Sequence, residues 1–153
     1  MIANLPQSAK FQVHFFNTTS RPALPDSQNR WLSANLPEDI NGVVKALREV
    51  IPAGGTSLYQ AFKAARKLEP RPDNILLITD GLPTQGRKTP SGTTVTSQQR
   101  VAHFNRAAEL IPAGIPVNTI LLPMEGDVYA AAAYWKLAVN THGSFLTPAR
   151  DWP

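Results

Sequence analysis

Asn74-Ile75-Leu76-Leu77-Ile78-Thr79-Asp80-Gly81-Leu82-Pro83-Thr84 runs four consecutive branched apolar residues into a polar turn marked by glycine. A strand covered on one face alternates apolar with polar residues. A run without alternation is the pattern of a strand buried on both faces, as in a parallel sheet clothed by helices. The stretch therefore predicts a doubly buried strand over residues 75–79. Asp80 falls where that strand yields to its loop, at a sheet edge where a carboxylate meets solvent and ligand without the cost of burial.

Working outward, the hydrophobic period switches between helix and strand. After the polar loop of residues 85–96, Ser97 caps a helix with Val101, Phe104, Ala107, Ala108 and Ile111 on one stripe, closed by Pro112, Ala113 and Gly114. Residues 117–122 read as a second strand. Val128, Ala131, Ala132, Trp135 and Ala138 or Val139 mark the inward stripe of another helix, which His142 and Gly143 end, and residues 144–147 make a last short strand. Strand–helix–strand alternation implies parallel crossovers and an α/β fold: a three-layer α/β/α sandwich around a Rossmann-like, mostly parallel sheet.

Upstream, Leu36-Pro37-Glu38-Asp39 opens a helix, with proline near the first turn and acidic side chains beside its unpaired N–H groups. Ile40, Val43, Val44, Leu47 and Val50 or Ile51 recur at helical spacing until Pro52-Ala53-Gly54-Gly55. Thr56 or Ser57 caps the following helix, whose stripe is Leu58, Ala61, Phe62, Ala65 and Leu68, with Lys63, Arg66 and Lys67 opposite. Residues 10–16 read as a strand, 17–29 as a loop broken by Pro22 and Pro25, and 30–32 as an edge strand returning beside 10–16. His14 is read as a strand-face residue and Trp152 as a packing anchor in the tail.

Composition narrows the function classes. The 153 residues are 42% apolar and include three tryptophans, enough for one domain over residues 1–153 with a hydrophobic core. No window approaches the roughly 18 continuous apolar residues of a membrane span. The absence of cysteine removes disulfides, thiolate metal sites and thiol nucleophiles. The formal charge of +4 is modest, and the basic group Lys63, Arg66, Lys67 and Arg71 lacks interleaved aromatics. It reads as a solvated face rather than a nucleic-acid surface.

Two loops carry atoms suited to chemistry: Gly54-Gly55-Thr56-Ser57 and Thr79-Asp80-Gly81. Hydroxyls and a carboxylate are hard oxygen donors that suit Mg²⁺ or Ca²⁺ rather than zinc. Thr56 also reads as a helix cap and Asp80 as a turn former. Ser57, His103 or His142, and Asp80 name a triad on paper, but no Gly-x-Ser-x-Gly turn follows a strand. Neither a Gly-x-Gly-x-x-Gly nor a P-loop motif is present. The chain reads as no enzyme, with an atypical hydrolase as the outlying alternative.

Gly54-Gly55-Thr56-Ser57-Leu58-Tyr59-Gln60-Ala61, followed by the stretch from Ile75 to Thr84, resembles the von Willebrand factor type A domain family. The later strand 117–122, the helix after Asp127 and the Gly143-Ser144-Phe145 finish match the family's order, so the resemblance covers roughly residues 10–148. It implies a doubly wound sheet carrying a metal-ion-dependent adhesion site. In such a site Mg²⁺ or Mn²⁺ is held by three loops and completed by an acidic side chain of a protein partner. By this likeness Thr56 is the hydroxyl ligand and Asp80 the carboxylate. Gly54, Gly55, Ser57, Thr79, Gly81 and Thr84 form the periphery.

The family's first strand ends in Asp-x-Ser-x-Ser, and no such motif occurs here: Asp26-Ser27 is followed by Gln28-Asn29. The expectation is a domain truncated at its N-terminal side, lacking the strand between 10–16 and 75–79. Its metal site would be incomplete, with weak or absent ion binding, and its exposed or swapped strands would favour a homo-oligomer. The implied function is a protein-binding module for adhesion or scaffolding. The alternative is a structural, assembly domain with a vestigial site.

Overall fold

The computed structural model describes residues 4–28, 30–88, 94–122 and 124–148. Trp152 and the middle of the loop 85–96 lie outside them. The described residues form a mixed α/β protein with four α-helices and a three-stranded parallel sheet.

The sheet consists of β5 (Ile75–Thr79), β6 (Val117–Leu121) and β7 (Phe145–Leu146), in that spatial order. Leu77 stands opposite Thr119, Ile78 opposite Ile120, and Ile120 opposite Leu146. The crossovers are α3 (Ser97–Ala108) and α4 (Ala130–Thr141). Leu77, Val117 and Leu121 point from one face into a core shared with Leu58 and Phe62 of α2 (Leu58–Arg66), Phe104 and Ala107 of α3, and Tyr134 and Leu137 of α4. Phe104 meets Tyr134 edge to face, centroids 5.0 Å apart.

The expectation that β5 is buried on both faces is corrected. Leu76 and Ile78 are 45% and 47% exposed, and Leu122 and Leu146 open onto the same side. No strand among the described residues pairs with the outer edge of β5. The apolar run reports chemistry suited to two covers, and the described residues supply one.

Upstream elements form a smaller cluster of Phe11, Ala23, Leu32 and Val43. Here β1 (Lys10–Phe11) pairs antiparallel with β4 (Leu32–Ser33), two residues beyond the start expected for the returning strand. β2 (His14–Phe16) pairs antiparallel with β3 (Ser20–Pro22), inside the segment read as loop. The reason is local: the Asn17 side chain accepts the Thr19 N–H at 3.0 Å and closes a tight turn. Pro22, lacking an N–H, ends a strand that is paired on one side only.

Helix α1 (Pro37–Glu49) starts as expected, with Pro37 in its first turn and Glu38 and Asp39 behind it. The 5%-exposed Asp39 carboxylate accepts the Ser33 N–H at 2.8 Å, tying α1 to β4. Of the two candidates for the α2 cap, Ser57 holds the position, its hydroxyl facing the Gln60 N–H. α3 is capped one residue earlier than expected, by Thr96 with Gln99 in a capping box. α4 is rotated from the expected stripe: Ala130, Tyr134, Leu137 and Ala138 are buried, while Val128 and Trp135 are 77% and 59% exposed. This helix is apolar nearly all round, so periodicity alone left its inward face undetermined.

Candidate functional site

The loops singled out in the sequence meet at the carboxyl end of β5. Its last residue, Thr79, is buried and donates its hydroxyl to the Gly81 carbonyl at 3.2 Å. Asp80 follows, exposed. The chain then turns through Gly81 to Thr84 and runs alongside the loop 54–57. There the Thr56 N–H donates to Thr84 Oγ1 at 2.9 Å, and the Gln85 N–H donates to the Thr56 carbonyl at 3.0 Å.

Gly55 makes this close approach possible. A Cβ there would strike the Gln85 amide and lie 2.8 Å from the Thr84 hydroxyl. A third loop joins from the β2–β3 turn: the Asn17 carbonyl accepts the Ser57 N–H at 2.7 Å, and the Asn17 amide donates to the Ala53 carbonyl at 3.1 Å. Gly54 adopts φ +78°, a left-handed backbone that suits glycine.

The donor inventory separates structural oxygens from available ones. Ser57 Oγ donates to the Gly86 carbonyl at 2.8 Å, Thr79 Oγ1 is committed to Gly81, and Thr84 Oγ1 accepts from Thr56. Among the described residues, the Thr56 hydroxyl and the Asp80 carboxylate make no hydrogen bond or ion pair. Two hard oxygens can hold a divalent cation only with water or an outside ligand filling most of its shell. No group of three or more His, Asp or Glu side chains suited to a metal occurs among the described residues.

The loop carrying Asp80 is fastened from behind by residues the sequence reading missed. Asp127 accepts the Leu82 N–H at 2.7 Å and pairs with Arg100 Nη2 at 2.7 Å, with side chains only 5% and 17% exposed. Arg100 also donates to the Leu82 carbonyl, and the Tyr134 hydroxyl donates to the Gly81 carbonyl at 2.8 Å. A Cβ at Gly81 would lie 2.6 Å from the Asp127 carboxylate. Burial raises the Tyr134 pKa above its ordinary value, so the phenol keeps the proton it donates. Arg100 and Asp127 are 27 residues apart, and their types and spacing carry no motif. The available signal was the placement of Asp127 just before a helix that returns to the sheet.

Among the described residues no histidine hydrogen-bonds to the Thr56 or Asp80 side chain. His14 contacts Ser20 Oγ at 3.2 Å, and burial lowers its pKa. His103 lies against Gly86, its pKa lowered by burial and then by Arg106. Among the described residues no histidine bonds to Ser57 or Thr56.

Comparison with protein-family models, curated proteins and solved structures finds no match to this chain.

Proposed function

We propose that this chain is a protein-binding module for adhesion or scaffolding, non-enzymatic and of the von Willebrand factor type A kind, built on a three-layer α/β/α plan. It engages its partner through the loop edge around Thr56 and Asp80. One observation carries the reading. The loops 54–57 and 81–86 join by hydrogen bonds at the carboxyl end of a parallel strand. There the Thr56 hydroxyl and the Asp80 carboxylate have no partner among the described residues. Mg²⁺ or Mn²⁺ would be held by these two residues and water, and an acidic side chain of the partner would complete the shell. With two protein donors the intrinsic affinity is weak.

Thermal unfolding with increasing Mg²⁺ or Mn²⁺ tests this, because an ion that binds only the folded chain raises its stability by mass action. The expected outcome is a saturating rise in Tm that Asp80→Ala and Thr56→Ala each abolish. A rise that survives both substitutions, or no rise with either ion, refutes the metal reading.

A second reading is favoured by the outer edge of β5, unpaired among the described residues, and by the exposed Leu76, Ile78, Leu122 and Leu146 on one sheet face. Under it the chain is an assembly domain with a vestigial metal site, and it self-associates through the open edge. Sedimentation velocity across a concentration series would then show a homo-oligomer that Leu76→Lys with Ile78→Lys returns to monomer. A wild type that stays monomeric throughout refutes this reading.

A further inference from the structure

We propose that the cavity at the amino end of β5 and β6 binds a phosphate-sized oxyanion. This site is independent of Thr56 and Asp80 and lies at the opposite end of the same strands. The cavity measures about 250 Å³ and is lined by Arg66, Arg71, Glu109 and residues 110–113. At about 30 Å³ per water this is room for roughly eight waters. That leaves room for a hydrated phosphate group.

The two arginines line the cavity from separately anchored elements. Arg66 is the final residue of α2, whose inner side is locked into the core by Leu58 and Phe62. Arg71 follows a segment held by the Trp31 indole, which donates to the Pro70 carbonyl at 3.1 Å, and precedes the buried Pro72. A cation in the last turn of a helix complements the helix dipole, which accounts for Arg66 without any ligand. It does not account for Arg71, which belongs to no helix.

Among the described residues neither guanidinium is spent on a carboxylate. Among the described residues the ion pairs within 4.0 Å involve Arg30, Lys45 and Arg100 as the cations. Glu109 lines the same cavity yet lies outside that distance from both arginines. Two planar forks, each with five N–H donors, therefore have no carboxylate partner among the described residues and can grip an oxyanion. Glu109 opposes the anion and keeps the net lining charge at +1, which supplies a diagnostic.

The test is a titration of the ¹⁵N-labelled full chain with inorganic phosphate at low ionic strength, followed by backbone amide shifts, with chloride at matched ionic strength and acetate as parallel arms. The proposal expects saturable shifts at Arg71, Leu110, Ile111 and Ala113. It expects binding weakened about tenfold or more by Arg66→Ala with Arg71→Ala, and tightened by Glu109→Gln. Lys63→Ala with Lys67→Ala removes the same charge from outside the cavity and is expected to change binding less than about twofold. All these side chains are exposed, and circular dichroism of each variant verifies its fold. The proposal is overturned by the absence of saturation, by equal shifts with chloride, by acetate binding as tightly as phosphate, or by lysine variants as damaging as the arginine pair.

Discussion

The two faces of the parallel sheet are made of the same kinds of residue and live in different surroundings. On one, Leu77, Val117 and Leu121 lie beneath α2, α3 and α4 with at most 4% of their surface exposed. On the other, Leu76, Ile78, Leu122 and Leu146 retain between 42% and 49%. Neighbours in sequence such as Leu121 and Leu122 thus stand in a packed core and at solvent. Side-chain chemistry makes a position suitable for burial, but stability comes from the atoms that arrive to cover it. The covered face is also the one whose end is fastened, through Tyr134, Asp127 and Arg100, to the loop carrying Asp80.

The sharpest way to break this contrast is to unfasten the covered side. Asp127→Ala leaves the Arg100 guanidinium and the Leu82 N–H without their carboxylate, and is expected to cost about 3–5 kcal/mol in urea unfolding. A loss below about 1 kcal/mol would mean that solvent reaches the pair and that the loop is not held from behind. Next comes the neighbouring pair. Leu121→Ala should cost about 2–5 kcal/mol as a buried deletion. Leu122→Ala should stay within about 0.5 kcal/mol for a chain whose open face meets only water. Comparable losses at both positions would show that something covers the second face in solution.

The smallest effect concerns the β2–β3 hairpin. Burial holds the His14 imidazole below its ordinary pKa, so the unfolded chain takes up that proton more readily than the folded one. The linked stability is fully present above the ordinary histidine value of about 6.5 and is lost as pH falls through the lowered folded value. Between pH 7 and pH 5 the Tm of the wild type should therefore fall more steeply than that of His14→Gln. Parallel slopes would remove His14 from the account.

Much of the helix and strand order was legible because it rests on local rules. Pro37 with Glu38 and Asp39 starts α1, one of the two adjacent hydroxyls expected to cap α2 does so (Ser57), and His142 ends α4 in a left-handed conformation at φ 58°. The β2–β3 hairpin was missed because a side-chain turn at Asn17 outweighed the loop-like composition around it. The stripe of α4 was misread because Val128 and Trp135 are as apolar as Tyr134 and Leu137. What separates them is partly a hydrogen bond from Tyr134 to Gly81 across 53 residues. The pairing of Arg100 with Asp127 was equally invisible, since no periodicity joins an arginine in the first turn of α3 to an aspartate beyond the next strand.

Local sequence was enough to place strands at residues 75–79 and 117–122, the second of which ends one residue sooner in the fold, to set helices between the strands, and to assign Gly55 and Asp80 to loops. These are properties of neighbours a few bonds apart, where backbone sterics and apolar spacing act directly. Only the tertiary structure decided which face of the sheet is covered, which oxygens at the loop edge remain available, and that Arg66 and Arg71 share a cavity. Those outcomes depend on groups distant in the chain competing for the same space and the same hydrogen bonds, and that competition is resolved only once the chain has folded.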